Sequence, residues 1–383
     1  MPRWRMPQKQ RDMRLDALRG MLLIIMAGVH VPTLLSHWLQ DPLGFMSDAE
    51  GFVFLSAVLA GRAYGGVYQR TDWKTMARRA WDRAKKVYLV HVSLVLAAVL
   101  VAWRLADRVA PLANHFHDFL THPWGSLALV PLLLHQPPLF DILPLYVRML
   151  GATPWLLMAA RRWSWKPVLA VSAVGWVVAQ FQLGQHLVGD PSRLLPLSLG
   201  SFHFLAWQFL WVCGLALGET MLRRPIFREE QRRGVTLVAG MVVVAGFVCR
   251  HGIWPDAWFP QGLYAWMDKW SLGPIRLLNF GAWVVLLVAW NPRLPRFSLA
   301  PMALLGRNSL PVFAFHLPLV IVATTLIETF PFSTAGQLFI GGLVIVQMFA
   351  WALWLESTWQ RKPREVPATP ALEKAPAPEL VPA

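Results

Sequence analysis

Charge is scarce in this chain. Only 15% of its 383 residues are Asp, Glu, Lys or Arg, and 56% are hydrophobic; soluble domains carry about 25% charge. The shortage argues against an ordinary soluble enzyme, because the apolar residues gather in runs of about 15–25, long enough to cross a bilayer as helices. Cysteine is scarcer still. Cys213 and Cys249 both fall inside apolar runs, so neither a disulfide framework nor a cysteine metal motif can be drawn. Acidic residues number 21 against 36 basic ones, a net charge of +15. In a soluble protein that excess points to nucleic acid. Here the cations occupy short segments between apolar runs, where they report topology instead. No internal repeat is visible. No small-residue cleavage site follows the first run, so a cleavable signal peptide is not expected.

What is present predicts an all-α, polytopic membrane protein. Ten spans are expected, over 17–36, 48–66, 87–105, 139–159, 167–183, 202–221, 235–250, 275–290, 308–327 and 335–356. The apolar stretch 125–137 is too short to span and reads as re-entrant or interfacial. Alternate connections are rich in Lys and Arg: the N-terminus, "RTDWKTMARRAWDRAKK", "RRWSWK", "RRPIFREEQRR", "NPRLPR" and the tail. The opposite side holds only Arg104, Arg108, Arg148, Arg193, Arg250, Lys269 and Arg276. This bias places both termini in the cytoplasm. The chain divides into a basic cytoplasmic N-terminus (1–15), a membrane domain (16–358) and a Pro/Ala-rich cytoplasmic tail (359–383) expected to be disordered.

Ionisable residues inside spans are costly and usually mark function. In "RGMLLIIMAGVH", Arg19 and His30 are eleven positions apart. At about 100° and 1.5 Å per residue they share one helix face, about 16 Å apart along the axis. Asp16 lies near the same face. In the second span Ser47 and Glu50 fit an S-x-x-E capping box; alternatively Glu50 pairs with His30 at matching depth and orients its imidazole. Arg62, near the cytoplasmic end, is a phosphate ligand or an anchor. Asp141 opens the fourth span as an N-cap or as the wall of an outer cavity shared with His30. His203, Trp207 and Gln208 open the sixth at similar depth, and His203 and Trp207 share a face. Arg276 and Asn279 lie in the eighth; Arg276 needs an acidic partner, Glu50 or Asp141. His316 precedes Pro318, which loosens the ninth helix, so it either caps freed backbone or serves chemistry. The aromatics Trp254, Trp258, Tyr264, Trp266 and Trp270 are interfacial anchors or sugar-stacking surfaces. His115, His117, Asp118 and His122 offer only His-x-His, a weak metal pattern, and no metal is expected.

Six segments, "RDMRLDALRGMLLIIMAGVH", "DAEGFVFLSAVLAGR", "DILPLYV", "FHFLAWQFLWVCGLALG", "LGPIRLLNF" and "LGRNSLPVFAFH", resemble the OpgC family in the expected order. That family transfers acyl groups such as succinyl onto osmoregulated periplasmic glucans. The chain also looks like the wider acyltransferase-3 superfamily, with its Arg-x10-His element at Arg19–His30; Ala57 stands where its "FFxLSG" element has Gly. The resemblance implies an inner-membrane acyltransferase that moves a group other than aminoacyl. Cytoplasmic acyl-CoA, succinyl-CoA above all, is a co-substrate rather than a bound cofactor, and the acceptor is a periplasmic glucan or other glycan. The partners expected are the bilayer, acyl-CoA and the glucan, not nucleic acid. Arg19, Arg62 and Arg307 would hold the donor's phosphates, and His30 would be the general base. Glu50 or Asp141 would fix its tautomer, Arg276 would meet the oxyanion or the succinyl carboxylate, and His316 would be the second-choice base. Two other classes fit the sequence: a transporter or flippase with ten spans and broken helices, and a non-catalytic scaffold of a glucan-synthesis complex.

Overall fold

The computed structural model describes residues 12–181, 200–222, 227, 229–252, 263–290 and 299–360. The first eleven residues, the tail from 361, Arg193, Trp254 and Trp258 lie outside them. The described residues are helical and contain no strand. The helices are α1 (Met13–His30), α2 (Leu34–Leu39), α3 (Asp48–Arg70), α4 (Trp73–Leu105), α5 (Ala110–His115), α6 (His117–Thr121), α7 (Pro123–Leu129), α8 (Ile142–Trp163), α9 (Trp165–Gln180), α10 (Phe204–Thr220), α11 (Glu229–Arg250), α12 (Leu263–Trp266), α13 (Pro274–Trp290), α14 (Ala300–Arg307), α15 (Ser309–Thr329) and α16 (Thr334–Gln360).

Six of these are long and apolar enough to cross a bilayer: α3, α4, α8, α15, and residues 230–250 and 334–358 of α11 and α16. Residues 204–220 and 274–289 form shorter apolar helices. Their outward faces are apolar: Val171, Leu237, Met241, Phe339 and Val346 are all exposed. An exterior of that kind suits lipid and would be a large unsatisfied patch in water.

Two expected boundaries moved. The first span ends at His30, not residue 36, and a short break precedes α2. The helix of the third expected span, α4, begins at Trp73, fourteen residues before the expected 87, and absorbs the basic connection. Asp72 caps it by accepting from the Thr75 amide at 2.9 Å. Met76, Ala77, Ala80, Ala84 and Val87 recur at helical spacing and are buried, while the Trp73 and Trp81 indoles donate to the Pro154 and Gly151 carbonyls of α8, each at 3.2 Å. Amphipathic periodicity therefore extends the helix beyond the apolar run. Within 125–137 only the seven-residue α7 is helical at the start, and it is too short to span.

The tightest packing pairs α1 with α14 and α3 with α10. A Cβ at Gly306 would sit 1.7 Å from the Asp16 carbonyl oxygen, and one at Gly20 would sit 1.8 Å from that of Met302. Only glycine permits backbones this close, as in small-residue membrane interfaces. Between α3 and α10 the facing helix supplies the glycine: Gly214 lies opposite Ala57, where an added Cβ would stand 2.6 Å from the Ala57 methyl.

Candidate active site

The face shared by Arg19 and His30 meets α15. The Arg19 guanidinium stands over the Phe52 ring, 5.7 Å from its centroid. Phe52 stacks on Phe313 at 6.0 Å, Phe313 meets His316 edge-on at 4.9 Å, and His316 lies nearly parallel to His30 at 6.1 Å. Phe313 and His316 are neighbours on one face because they are three residues apart. A single file thus runs Arg19, Phe52, Phe313, His316, His30. His316 is fully buried, and its Nδ1 is 2.6 Å from the Phe313 carbonyl. A carbonyl only accepts, so Nδ1 carries the proton and Nε2 keeps its lone pair. That carbonyl precedes the Ala314 carbonyl, which Pro318 deprives of its helical donor. His316 Nε2 and His30 Nδ1 are both buried without a hydrogen-bond partner.

Beside the file lies a chain of ion pairs. Glu50 accepts from the Ser47 amide at 3.1 Å, completing the capping box, and its other oxygen pairs with Arg276. Arg276, 2% exposed, also pairs with Asp41 at 2.8 Å, and Asp41 holds Arg250 at 3.2 Å. Both expectations for Glu50 other than the histidine contact are thus met at once: it caps α3 and it is the acidic partner of Arg276. The expected Glu50–His30 pairing is not made. Leu22 of α1 abuts Gly51, so His30, eight residues on, stands about 12 Å farther out. The two depths differ, and Arg276 occupies the carboxylate. Asn279 donates to the Val242 carbonyl at 3.3 Å and packs against Gly246.

Lys269 is within charge–charge reach of His30, Asp48, Glu50 and Asp141, with its ammonium 5.3 Å from the Trp270 ring centroid. Asp48 is buried, and its Oδ1 has no partner. Sequence reasoning missed Lys269, Asp41, Asp48, Phe52 and Phe313. The available signal was the rarity of outer-side cations, which already set Lys269 apart.

The remaining candidates separate by place. Arg19 lines a small inner cleft of ≈ 20 Å³ with Arg83, Tyr146, Ser309 and Phe313. Arg62 pairs with Asp12 at 3.3 Å, and Arg307 with Glu356 at 2.7 Å, at the same end of the bundle. His203 and Trp207 do share a face; the His203 backbone amide and the Trp207 indole donate to the Trp270 carbonyl at 3.1 and 2.9 Å, and the His203 Nδ1 is buried without a hydrogen-bond partner. Gln208 exchanges hydrogen bonds with Ser172 of α9, accepting at 2.6 Å and donating at 2.7 Å. These bonds spend the polar groups of Trp207 and Gln208 on helix contacts. Asp141 accepts from the Ser201 amide at 2.9 Å and borders an outer cleft of ≈ 410 Å³. Among the described residues no hydrogen bond or ion pair joins Asp141 to His30. No group of three or more His, Cys, Asp or Glu among them is arranged to hold a metal ion.

An apolar-surfaced helical bundle with a stacked histidine pair and an internal chain of ion pairs defines a membrane protein with an internal polar site. A family model described as OpgC protein matches residues 11–360, nearly the whole chain, and the chain belongs to that family. Membership points to a transferase, an acyltransferase that modifies osmoregulated periplasmic glucans. No curated protein and no solved structure is significantly similar to the chain.

Proposed function

We propose that this protein moves an acyl group, succinyl in the first instance, from cytoplasmic acyl-CoA to a hydroxyl of a periplasmic glucan. It does so in the bacterial inner membrane, with ten crossings and both termini cytoplasmic, as a member of the acyltransferase-3 superfamily. The observation that carries the reading is the file from Arg19 to the His30–His316 pair. It joins a small cleft that carries Arg19 and Arg83 to two imidazoles with unspent nitrogens deeper in the bundle. A phosphate binds guanidinium groups through charge-assisted hydrogen bonds, a role for Arg19 and Arg83 with Arg62 and Arg307 nearby.

His30 is partly exposed whereas His316 is fully buried, so His30 is the member that an acceptor hydroxyl reaches. His30 takes the hydroxyl proton as the oxygen attacks the thioester carbonyl. A tetrahedral oxyanion forms, the C–S bond breaks, and the departing thiolate receives the proton back from the imidazolium. Arg276 is committed to Glu50 and Asp41, so its charge is spent on those carboxylates rather than on an oxyanion. Glu50 and Arg276 act by holding the start of α3, and with it Phe52, in place. His316 supplies a second neutral lone pair against His30.

The test replaces His30 by Ala, checks membrane abundance, and weighs the cell's periplasmic glucans by mass spectrometry. Removal of a general base costs about 10²–10⁴-fold in rate, so acyl substitution should vanish while the glucan persists. Unchanged acylation would sink the role of His30. Loss of the glucan itself would favour transport.

A further inference from the structure

The outer cleft of ≈ 410 Å³ has no part in the file that reaches His30 from the cytoplasmic side, and its chemistry is opposite to that of the inner one. Its volume falls in the range of about 300–1,000 Å³ usual for small-molecule sites. In a chain of net charge +15, neither Lys nor Arg lines it; the ionisable groups on its wall are Asp118, Asp141, His115 and His117. Phosphates and coenzyme A are therefore poor ligands for it. The cleft lies at the end of α8 opposite Arg161 and Arg162, the side read as periplasmic.

The walls are built rather than accidental. The Ser201 amide holds the Asp141 carboxylate, and Gly200, at φ 84°, lets the chain pass where any Cβ would stand 2.4 Å from that of Asp141. His115 has its Nε2 buried without a partner. Burial holds its imidazole below the ordinary value, its hydrogen bond to the Pro138 backbone opposing; a neutral ring that donates to that carbonyl keeps Nε2 as an acceptor. Pro138, which is exposed, adds apolar surface among these polar groups.

We infer that this cleft is the acceptor subsite, shaped for a neutral carbohydrate. Two carboxylates, imidazole and amide groups beside a proline match vicinal hydroxyls beside an apolar CH face. The inference rests on the acyl-transfer reading for its use. Asp118 and His117 are exposed on α6, so their replacement leaves the core intact.

The experiment uses the full chain in nanodiscs and two probes, a neutral linear glucose oligosaccharide and coenzyme A. Wild type, Asp118→Ala, His117→Ala and Asp141→Asn are compared by calorimetry, and acyl transfer is measured in parallel. Each variant should weaken oligosaccharide binding about tenfold, the worth of one charge-assisted or well-placed hydrogen bond, raise the acceptor KM with kcat little changed, and leave coenzyme A binding untouched. Equal oligosaccharide affinity across all four proteins, or loss of coenzyme A binding instead, overturns the cleft assignment even if transfer proceeds. Oligosaccharide binding that responds to the variants in a protein that transfers nothing would sustain the cleft and overturn the transferase reading.

Discussion

Arg276 compensates two carboxylates at once, and that arrangement fixes how the molecule should respond when it is removed. Arg276→Met leaves Glu50, fully buried, without its cation, and leaves Asp41 with Arg250 only. Breaking a buried pair costs about 3–5 kcal/mol, because the surviving charge stays desolvated and unpaired. Glu50→Leu is the milder break, since Arg276 retains Asp41; its cost is about 3 kcal/mol, including a share for the lost α3 cap. The double variant removes both charges and fills the space with apolar side chains, a replacement that is often close to neutral. It should cost less than Arg276→Met alone, giving a coupling of at least about 2 kcal/mol. The assay is equilibrium unfolding in mixed detergent micelles, followed by the fluorescence of the 21 tryptophans. Additive single and double variants would refute the reasoning, since they would mean that the two charges do not depend on each other. Glu50→Leu costing more than Arg276→Met would refute the part assigned to Asp41.

Two further outcomes follow from the packing. Phe313→Ala opens the aromatic contact between the inner cleft and His316, so acceptor-independent hydrolysis of the acyl donor should rise while glucan acylation falls; unchanged hydrolysis would reduce Phe313 to a packing residue. Gly306→Ala places a methyl group 1.7 Å from a backbone oxygen with no flexible side chain to yield. It should cost at least about 1–3 kcal/mol by overpacking and lower membrane abundance, and wild-type thermal stability would contradict the described contact of α1 with α14.

The spacing of Arg19 and His30 was legible because an α-helix has a fixed period: eleven residues return to the same face wherever the helix is placed. α3 then meets the Arg19 end of that face through Phe52, and α15 meets the His30 end through His316. The acidic partner of Arg276 was legible in kind, because a lone cation at the sparsely charged end of a bundle requires one. Local patterns were less reliable where they competed with tertiary packing. The basic connection before residue 87 read as loop by composition, yet its alanines and indole groups bind it to α8 as helix. His203, Trp207 and Gln208 read as site residues by depth alone, and depth does not say which neighbour takes their hydrogen bonds.

The sequence by itself determined the class: scarce charge, long apolar runs, the one-sided distribution of cations and the segments that mark the family. These are properties of composition and period, and they survive any arrangement of the helices. Only the tertiary structure decided which imidazole lies beside His30, which cation holds Glu50, and that Lys269 stands among the acidic groups and His30. Those contacts join residues far apart in the chain, Glu50 to Arg276 and His30 to His316. They depend on where α3 begins relative to the outer end of α1, a depth set by packing and not by any local run of residues.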